Sequence, residues 1–322
     1  MQAITYHRYG APDVLELEEV DQPRPGDGEV LVRVHAASVN PRDWHFLRGL
    51  PYVLRPLALR VPTDGGLGSD VAGRVEATGR GVTRFRPGDE VYGYVHRGAF
   101  AEYACVPEGV LGPKPANLSF EQAAAVPLAA MTALQGLRDH GRVRPGERVL
   151  VVGASGGVGT FAVQLAKLFG AEVTGVCSTR NLELVRSLGA DHVVDYTRED
   201  FAGNGRRYDL ILQLAGTRSP ADCRRALTPK GQLLLSSGEG PGRWIGPLAR
   251  MAKAVVLSPL VSQRLAAFEA KPSGNDLRAL SELIESGKLT PVIDRTYPLP
   301  ETPAALGYLE TGHARGKVVI TV

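Results

Sequence analysis

The stretch VLVVGASGGVGTFAVQLAKLFGA, from Val149 to Ala171, limits what this chain can fold into more than any other. A run of Val and Leu ends in a glycine turn, and the helical pattern that follows is stopped by Gly170. This is a buried strand feeding a helix, and the alternation continues. EVTGVC reads as a strand, NLELVRSL as a helix closed by Gly189, and HVVDY, DLILQLA and GQLLLSS as further strands. Continuous Val, Leu and Ile strands separated by helices predict a parallel sheet buried on both faces.

A glycine turn between strand and helix is also where a dinucleotide binds. The usual pattern is G-x-G-x-x-G, and Ala154 stands at its leading position here. Gly156 lets the backbone approach a pyrophosphate, and Gly159 lets the helix press on the strand. The anion then rests on the helix N-terminus, where free amides and the helix dipole favour negative charge. A turn that serves packing alone is the competing reading. The next strand selects the cofactor. An NAD site places Asp or Glu at its end to hold the ribose hydroxyls, and EVTGVCSTRN has Ser178 there, with Arg180 two residues on. Read alone, Arg180 is a solvated residue of a first helical turn. With the acid missing, a serine and a planar guanidinium suit a 2′-phosphate, and NADPH is the expected cofactor.

Before this region the chain reads as short strands, EVLVRVHAASV, DVAGRVEATG and DEVYGYV, with Gly and Pro between them. Pro-Gly pairs at Pro87-Gly88 and Pro145-Gly146 suit type II turns that enter strands. SFEQ at Ser119 has capping-box spacing and opens a helical run to about Arg138, reset at Pro127. A helix NDLRALSELIES stops at Gly287, and the terminal KVVITV is a strand of a sheet already formed. Composition excludes several classes. The net charge of +3 and short arginine pairs without interleaved aromatics argue against a nucleic-acid surface. No apolar run reaches the roughly 18 residues of a membrane span, and Met1 leads into no signal-peptide pattern, so cytoplasmic residence is expected. Cys105, Cys177 and Cys223 are far apart and odd in number, which fits reduced, buried thiols.

Motifs along nearly the whole chain resemble the medium-chain dehydrogenase/reductase superfamily, in its zinc-free quinone oxidoreductase (zeta-crystallin-like) branch. They are SVNPRDWHFLRG, GSDVAGRV, GDEVYG, GAFAEY, AAAVPLAAMTALQGL, GASGGVG, SLGADHVVDY and GHARGKVVI, in that order. The resemblance implies an α/β protein with a GroES-like β domain, residues 1–121 and 265–322, around a Rossmann NADP-binding domain with a doubly wound parallel sheet, residues 122–264. It also implies cofactor contacts from Thr132, Ser155, Gly157, Val158, Tyr196, Leu214, Ala266, Phe268 and the His313-Ala314-Arg315 turn. Relatives pair through the last strands of their Rossmann sheets, so AVVLSPLV, Ala254 to Val261, is the expected edge strand of a homodimer.

Zinc members of the superfamily carry C-x-x-D-x-H and G-H-E segments. The matching positions are Asn40-Pro-Arg-Asp43-Trp-His45 and Gly68-Ser69-Asp70, so a thiolate has become Asn40 and an imidazole Ser69. A catalytic zinc needs three protein ligands, and no metal is expected; His45 reads as a hydrogen-bonded structural group. The chemistry left without a Lewis acid is hydride donation to a quinone or to the β-carbon of an enone. Asn40 is the candidate for a hydrogen bond to the acceptor oxygen, and Tyr52 either stacks on the acceptor or donates a proton. The acceptor loop would be Pro51 to Thr63. A dedicated enoyl reductase and a non-catalytic NADPH-binding protein are the alternatives.

Overall fold

The protein is described by a computed structural model covering residues 1–53, 66–216, 218–236, 244 and 247–322, without the side chains of residues 247, 248 and 250. It divides into two units, Met1–Met131 with Pro272–Val322, and Thr132–Lys271. Along the first stretch come β1 (Gln2–Thr5), β2 (Glu16–Glu19), β3 (Glu29–Val39), α1 (Pro41–Arg48), β4 (Asp70–Thr78), β5 (Glu90–Tyr94), β6 (Tyr103–Pro107), β7 (Leu111–Pro113), α2 (Phe120–Ala124) and α3 (Pro127–Gln135). Then follow β8 (Arg148–Val152), α4 (Gly157–Leu168), β9 (Glu172–Cys177), α5 (Leu182–Ser187), β10 (His192–Asp195), β11 (Tyr208–Gln213), α6 (Pro220–Arg224), β12 (Leu227–Leu235), α7 (Pro247–Leu257) and β13 (Arg264–Ala267). The return contributes α8 (Gly274–Glu285), β14 (Ile293–Pro298), α9 (Thr302–Glu310) and β15 (Lys317–Thr321).

The first unit is built on a seven-stranded sheet in the order β14-β15-β3-β4-β5-β7, with β6 also on β3. Its centre is β3, whose β-branched residues suit a pleated, buried surface. The expectation for the terminal strand holds: β15 enters antiparallel to β3, with Val318 opposite Val39 and Ile320 opposite Ala37. Tyr92 on β5 fastens the returning segment by donating to the Leu277 carbonyl of α8 at 2.6 Å. Gly88 and Gly146 have φ of +94° and +83°, the left-handed position that a type II turn requires.

The second unit is a six-stranded sheet in the order β10-β9-β8-β11-β12-β13, every adjacent pair parallel. The expected doubly wound sheet is therefore present. The order reverses between β8 and β11, and the crevice outside the carboxyl ends of strands at such a point is where ligands bind. Two expectations about boundaries change. The divisions fall at Met131/Thr132 and Lys271/Pro272 instead of 121/122 and 264/265. Helix α2 packs on β3, β4 and β15, and β13 pairs with β12 from Gln232/Arg264 to Leu235/Ala267, so each stays with its own sheet.

The candidate edge strand AVVLSPLV is not a strand. Its residues finish α7 and form a 3-10 turn, Ser258–Leu260. Ala254 is fully buried while Val255 and Val256 are 59% and 66% exposed, a helical division of faces that the valine run concealed. The sheet edge on that side is β13.

Candidate active site

The glycine loop leaves the carboxyl end of β8 at the switch point. Gly153 takes the left-handed conformation, φ +88°, so the positive φ falls one residue before Ala154, which is fully buried and tolerates its methyl. Gly159 is required by packing: an added Cβ would lie 2.0 Å from the Gly153 carbonyl oxygen and 2.8 Å from the Ala154 backbone. Gly156 has room on the protein side, where its Cβ would meet only Gly153 O at 3.5 Å. The two glycines thus differ: Gly159 serves the helix–strand contact, and Gly156 leaves open space at the loop. Helix α4 opens at Gly157 with Gly156 as N-cap, leaving the first amides of Gly157, Val158 and Gly159 directed at an incoming anion.

In a parallel sheet all carboxyl ends lie along one edge. Ser155 follows β8, Ser178 follows β9, Tyr196 follows β10, Leu214 follows β11, and Ala266 and Phe268 mark the end of β13. The topology therefore gathers most of the expected cofactor residues on one side of the second unit. Tyr196 is 63% exposed and Arg180 is exposed beside Ser178, whereas Phe268 is buried against Gly136 and His140. The Phe268 ring is thus engaged in packing inside the second unit, a contact that its apolar type alone did not reveal. Thr132 is a buried residue of α3. The His313-Ala314-Arg315 turn belongs to the first unit, where the Arg315 amide donates to Asp294 Oδ2 at 3.0 Å.

In the first unit, Asn40 sits at the start of α1, where β3 ends, and is 3% exposed. Its amide nitrogen donates to Asp70 Oδ2 at 2.9 Å and to the Ser38 carbonyl at 3.3 Å, while its oxygen accepts from Lys317 Nζ at 2.5 Å. Both amide hydrogens are engaged inside the protein, so the hydrogen bond to an acceptor oxygen expected of Asn40 has no donor left in this arrangement. Asn40 instead joins three strands. Asp70 opens β4 opposite Ser38, whose hydroxyl donates to Asp70 Oδ2 at 2.7 Å, and Lys317 opens β15 beside Val39. Lys317 and Asp70, 4% and 0% exposed at their side chains, form an ion pair at 3.2 Å. The ammonium's third bond goes to the Val39 carbonyl at 3.2 Å, and Asp70 Oδ1 accepts the Leu128 amide at 2.8 Å. Every hydrogen of the ammonium has an acceptor, which is the condition for burying a charge.

Asp43, three residues into the same segment, accepts the Asn40 amide at 2.7 Å and the Gly68 amide at 3.1 Å, clamping α1 to the chain entering β4. Burial pushes its carboxyl up to about 7, opposed by those two amides. Burial also lowers the pKa of His45, which stacks on Trp44 at 3.8 Å. Tyr52 is half-buried in the turn after Pro51, and the remainder of the expected acceptor loop, residues 54–63, lies outside the described residues.

The zinc-ligand positions do not fit a metal. Asn40 Oδ1 and Asp70 Oδ2 both receive the Lys317 ammonium, and a divalent cation there would meet a buried positive charge. Lys317, within GKVVI, has no task that the sequence alone assigns. The available signal was a lysine opening an otherwise apolar strand.

Comparison with known proteins agrees with both units. A profile described as alcohol dehydrogenase GroES-like domain matches residues 26–116, and one described as zinc-binding dehydrogenase matches residues 188–320. The chain is 36% identical to a quinone-oxidoreductase homolog, chloroplastic, of Spinacia oleracea, over 99% of this chain and 98% of that protein. It is 36% identical to an NADPH-dependent alkenal/one oxidoreductase, chloroplastic, of Arabidopsis thaliana, over 99% of this chain and 79% of that protein. The solved quinone oxidoreductase from Coxiella burnetii covers 100% of this chain with 99% of its own, at a TM-score of 0.89 and 31% identity.

Proposed function

Because the chain belongs to the medium-chain dehydrogenase/reductase superfamily, in its quinone oxidoreductase branch, we propose that it reduces a quinone or an α,β-unsaturated carbonyl with NADPH and without a metal. The observation that carries this reading is the glycine loop at the switch point, with Ser178 and Arg180 where a ribose-binding acid would stand. The nicotinamide cofactor supplies the hydride when bound. The amides opening α4 hold its diphosphate, and Ser178 and Arg180 donate to its 2′-phosphate. Tyr52 stacks on the acceptor or gives it a proton, while Asn40 keeps the start of α1 in place.

Turnover of NADPH with a panel of quinones and enones tests the reading, and absence of turnover with every acceptor would leave a non-catalytic NADPH-binding protein. NADPH should bind at least about tenfold tighter than NADH, the factor that one charge-assisted hydrogen bond supplies. Equal affinities, or a preference that survives Arg180→Ala, would count against the assignment. Tyr52→Phe should keep most of the rate with quinones, and as proton donor it should cost on the order of 10²-fold with a simple enone. A variant silent with all acceptors removes Tyr52 from the chemistry.

The ammonium between Asn40 and Asp70 supports metal independence. Prolonged chelation should leave activity and folding intact, and stoichiometric zinc whose removal abolishes activity would reverse this view. Two copies are expected to pair through the β13 side of the six-stranded sheet, the pairing that the resemblance implies. Light scattering that returns a single chain's mass at micromolar concentration would refute the dimer.

A further inference from the structure

We infer that Asn181 sets the cofactor preference, as a positioning residue that makes two serine hydroxyls donors toward anionic oxygens; this rests on the NADPH reading above. Asn181 lies three residues beyond Ser178, at the start of α5, and is 4% exposed. Its backbone amide donates to the Ser178 carbonyl at 2.9 Å. Its side-chain nitrogen donates to Ser155 Oγ at 2.9 Å and to Ser178 Oγ at 3.2 Å, using both hydrogens. One amide therefore ties the glycine loop after β8 to the residue that ends β9.

The direction of these bonds matters. A hydroxyl that accepts a hydrogen bond is polarised and becomes a better donor. Neither serine hydroxyl donates to any protein acceptor among the described residues, so both O–H groups remain for a ligand. A ribose without a 2′-phosphate is best held by an acceptor, normally a carboxylate. The carboxylate that ends the neighbouring strand, Asp195 of β10 opposite Cys177, is engaged elsewhere: it accepts Thr179 Oγ1 at 2.5 Å, Thr197 Oγ1 at 2.7 Å and the Thr197 amide at 3.0 Å. The site thus offers donors at both serines, Ser155 in the loop that receives the diphosphate and Ser178 where the 2′-phosphate is expected. The guanidinium of Arg180 adds charge of the same sense.

Calorimetric titration with ADP-ribose and with its 2′-phosphate tests this without any acceptor or turnover. The unaltered chain should bind the 2′-phosphate form at least about tenfold tighter. Asn181→Ala should narrow that ratio to about twofold, since the loss of an orienting amide weakens a ligand that needs donors more than one that does not. Asn181→Asp, equal in shape but able only to accept, turns both hydroxyl hydrogens inward and should abolish or invert the preference. A change in overall stability alone would move both affinities together and leave the ratio unchanged. If the unaltered chain binds both ligands equally, the NADPH reading fails. If it prefers the 2′-phosphate and folded Asn181→Ala and Asn181→Asp keep the full ratio, this inference alone fails. Ser178→Ala guards against variants at Asn181 that do not fold: it should narrow the ratio by itself, and an undiminished ratio there equally overturns the proposal.

Discussion

Lys317→Met lowers the stability of the first unit by about 3–5 kcal/mol, the usual cost of leaving one partner of a buried ion pair without the other. The substitution keeps the length of the side chain and removes the ammonium. Asp70, with 0% side-chain exposure, then carries a charge with no counterion, and Asn40 Oδ1 loses its donor at 2.5 Å. Urea unfolding followed by Trp44, on α1 of the same unit, reads the effect; Trp244→Phe removes the chain's second tryptophan so that the signal has one source. Combining Lys317→Met with Asp70→Asn removes both charges and should recover part of the loss, because no uncompensated charge is then left buried. The donors that met the Asp70 carboxylate and the acceptors that met the ammonium remain poorly paired. A single-variant loss below about 1 kcal/mol, the level of an exposed ion pair, would show that the network does not hold the three strand ends together.

The second large effect concerns the glycine loop. Gly159→Ala places a methyl 2.0 Å from the Gly153 carbonyl oxygen, with the Ala154 backbone at 2.8 Å, and no flexible side chain is there to yield. The loop must leave the end of β8. Overpacking of this kind costs about 1–3 kcal/mol, and where it displaces the binding amides it lowers cofactor affinity by about 10- to 100-fold. Gly156→Ala is the contrasting case. Its methyl has ordinary contact with Gly153 O at 3.5 Å, so folding should be unaffected while the diphosphate is kept at a distance. Melting curves and calorimetric titration with NADP⁺ separate the two. Equal losses of stability at both positions would show that the division of tasks between the glycines is wrong.

Much of this could be read from residue order because it depends on local periodicity. The Val149–Val152 run, the glycine turn and the Gly170 stop define strand, loop and helix without reference to any distant residue. The Ser119 capping box and the Pro-Gly turns are equally local. Repetition of strand and helix then required a parallel sheet, and a parallel sheet places Ser155, Ser178, Tyr196 and Leu214 along one edge whatever its other details. The resemblance carried the two-unit organisation and located the strand that returns from the carboxyl end.

What remained concealed depends on which atoms meet across long stretches of chain. Asn40 invites a substrate role as a lone amide beside a lost metal site. Only the pairing of β15 and β4 against β3 brings Lys317 and Asp70 to it and turns its hydrogens inward. Ala254 to Val261 is rich in β-branched residues, yet helical packing with Ala254 inward overrides that preference. Phe268 is packed against Gly136, a neighbour more than a hundred positions away in the chain. Asn181 is an ordinary residue before a short helix until the fold sets two serine oxygens beside its amide. Periodicity determined the elements and the edge where the candidate cofactor residues collect. Hydrogen-bond direction and burial, which exist only once strands distant in sequence are adjacent, decided what each polar side chain there is free to do.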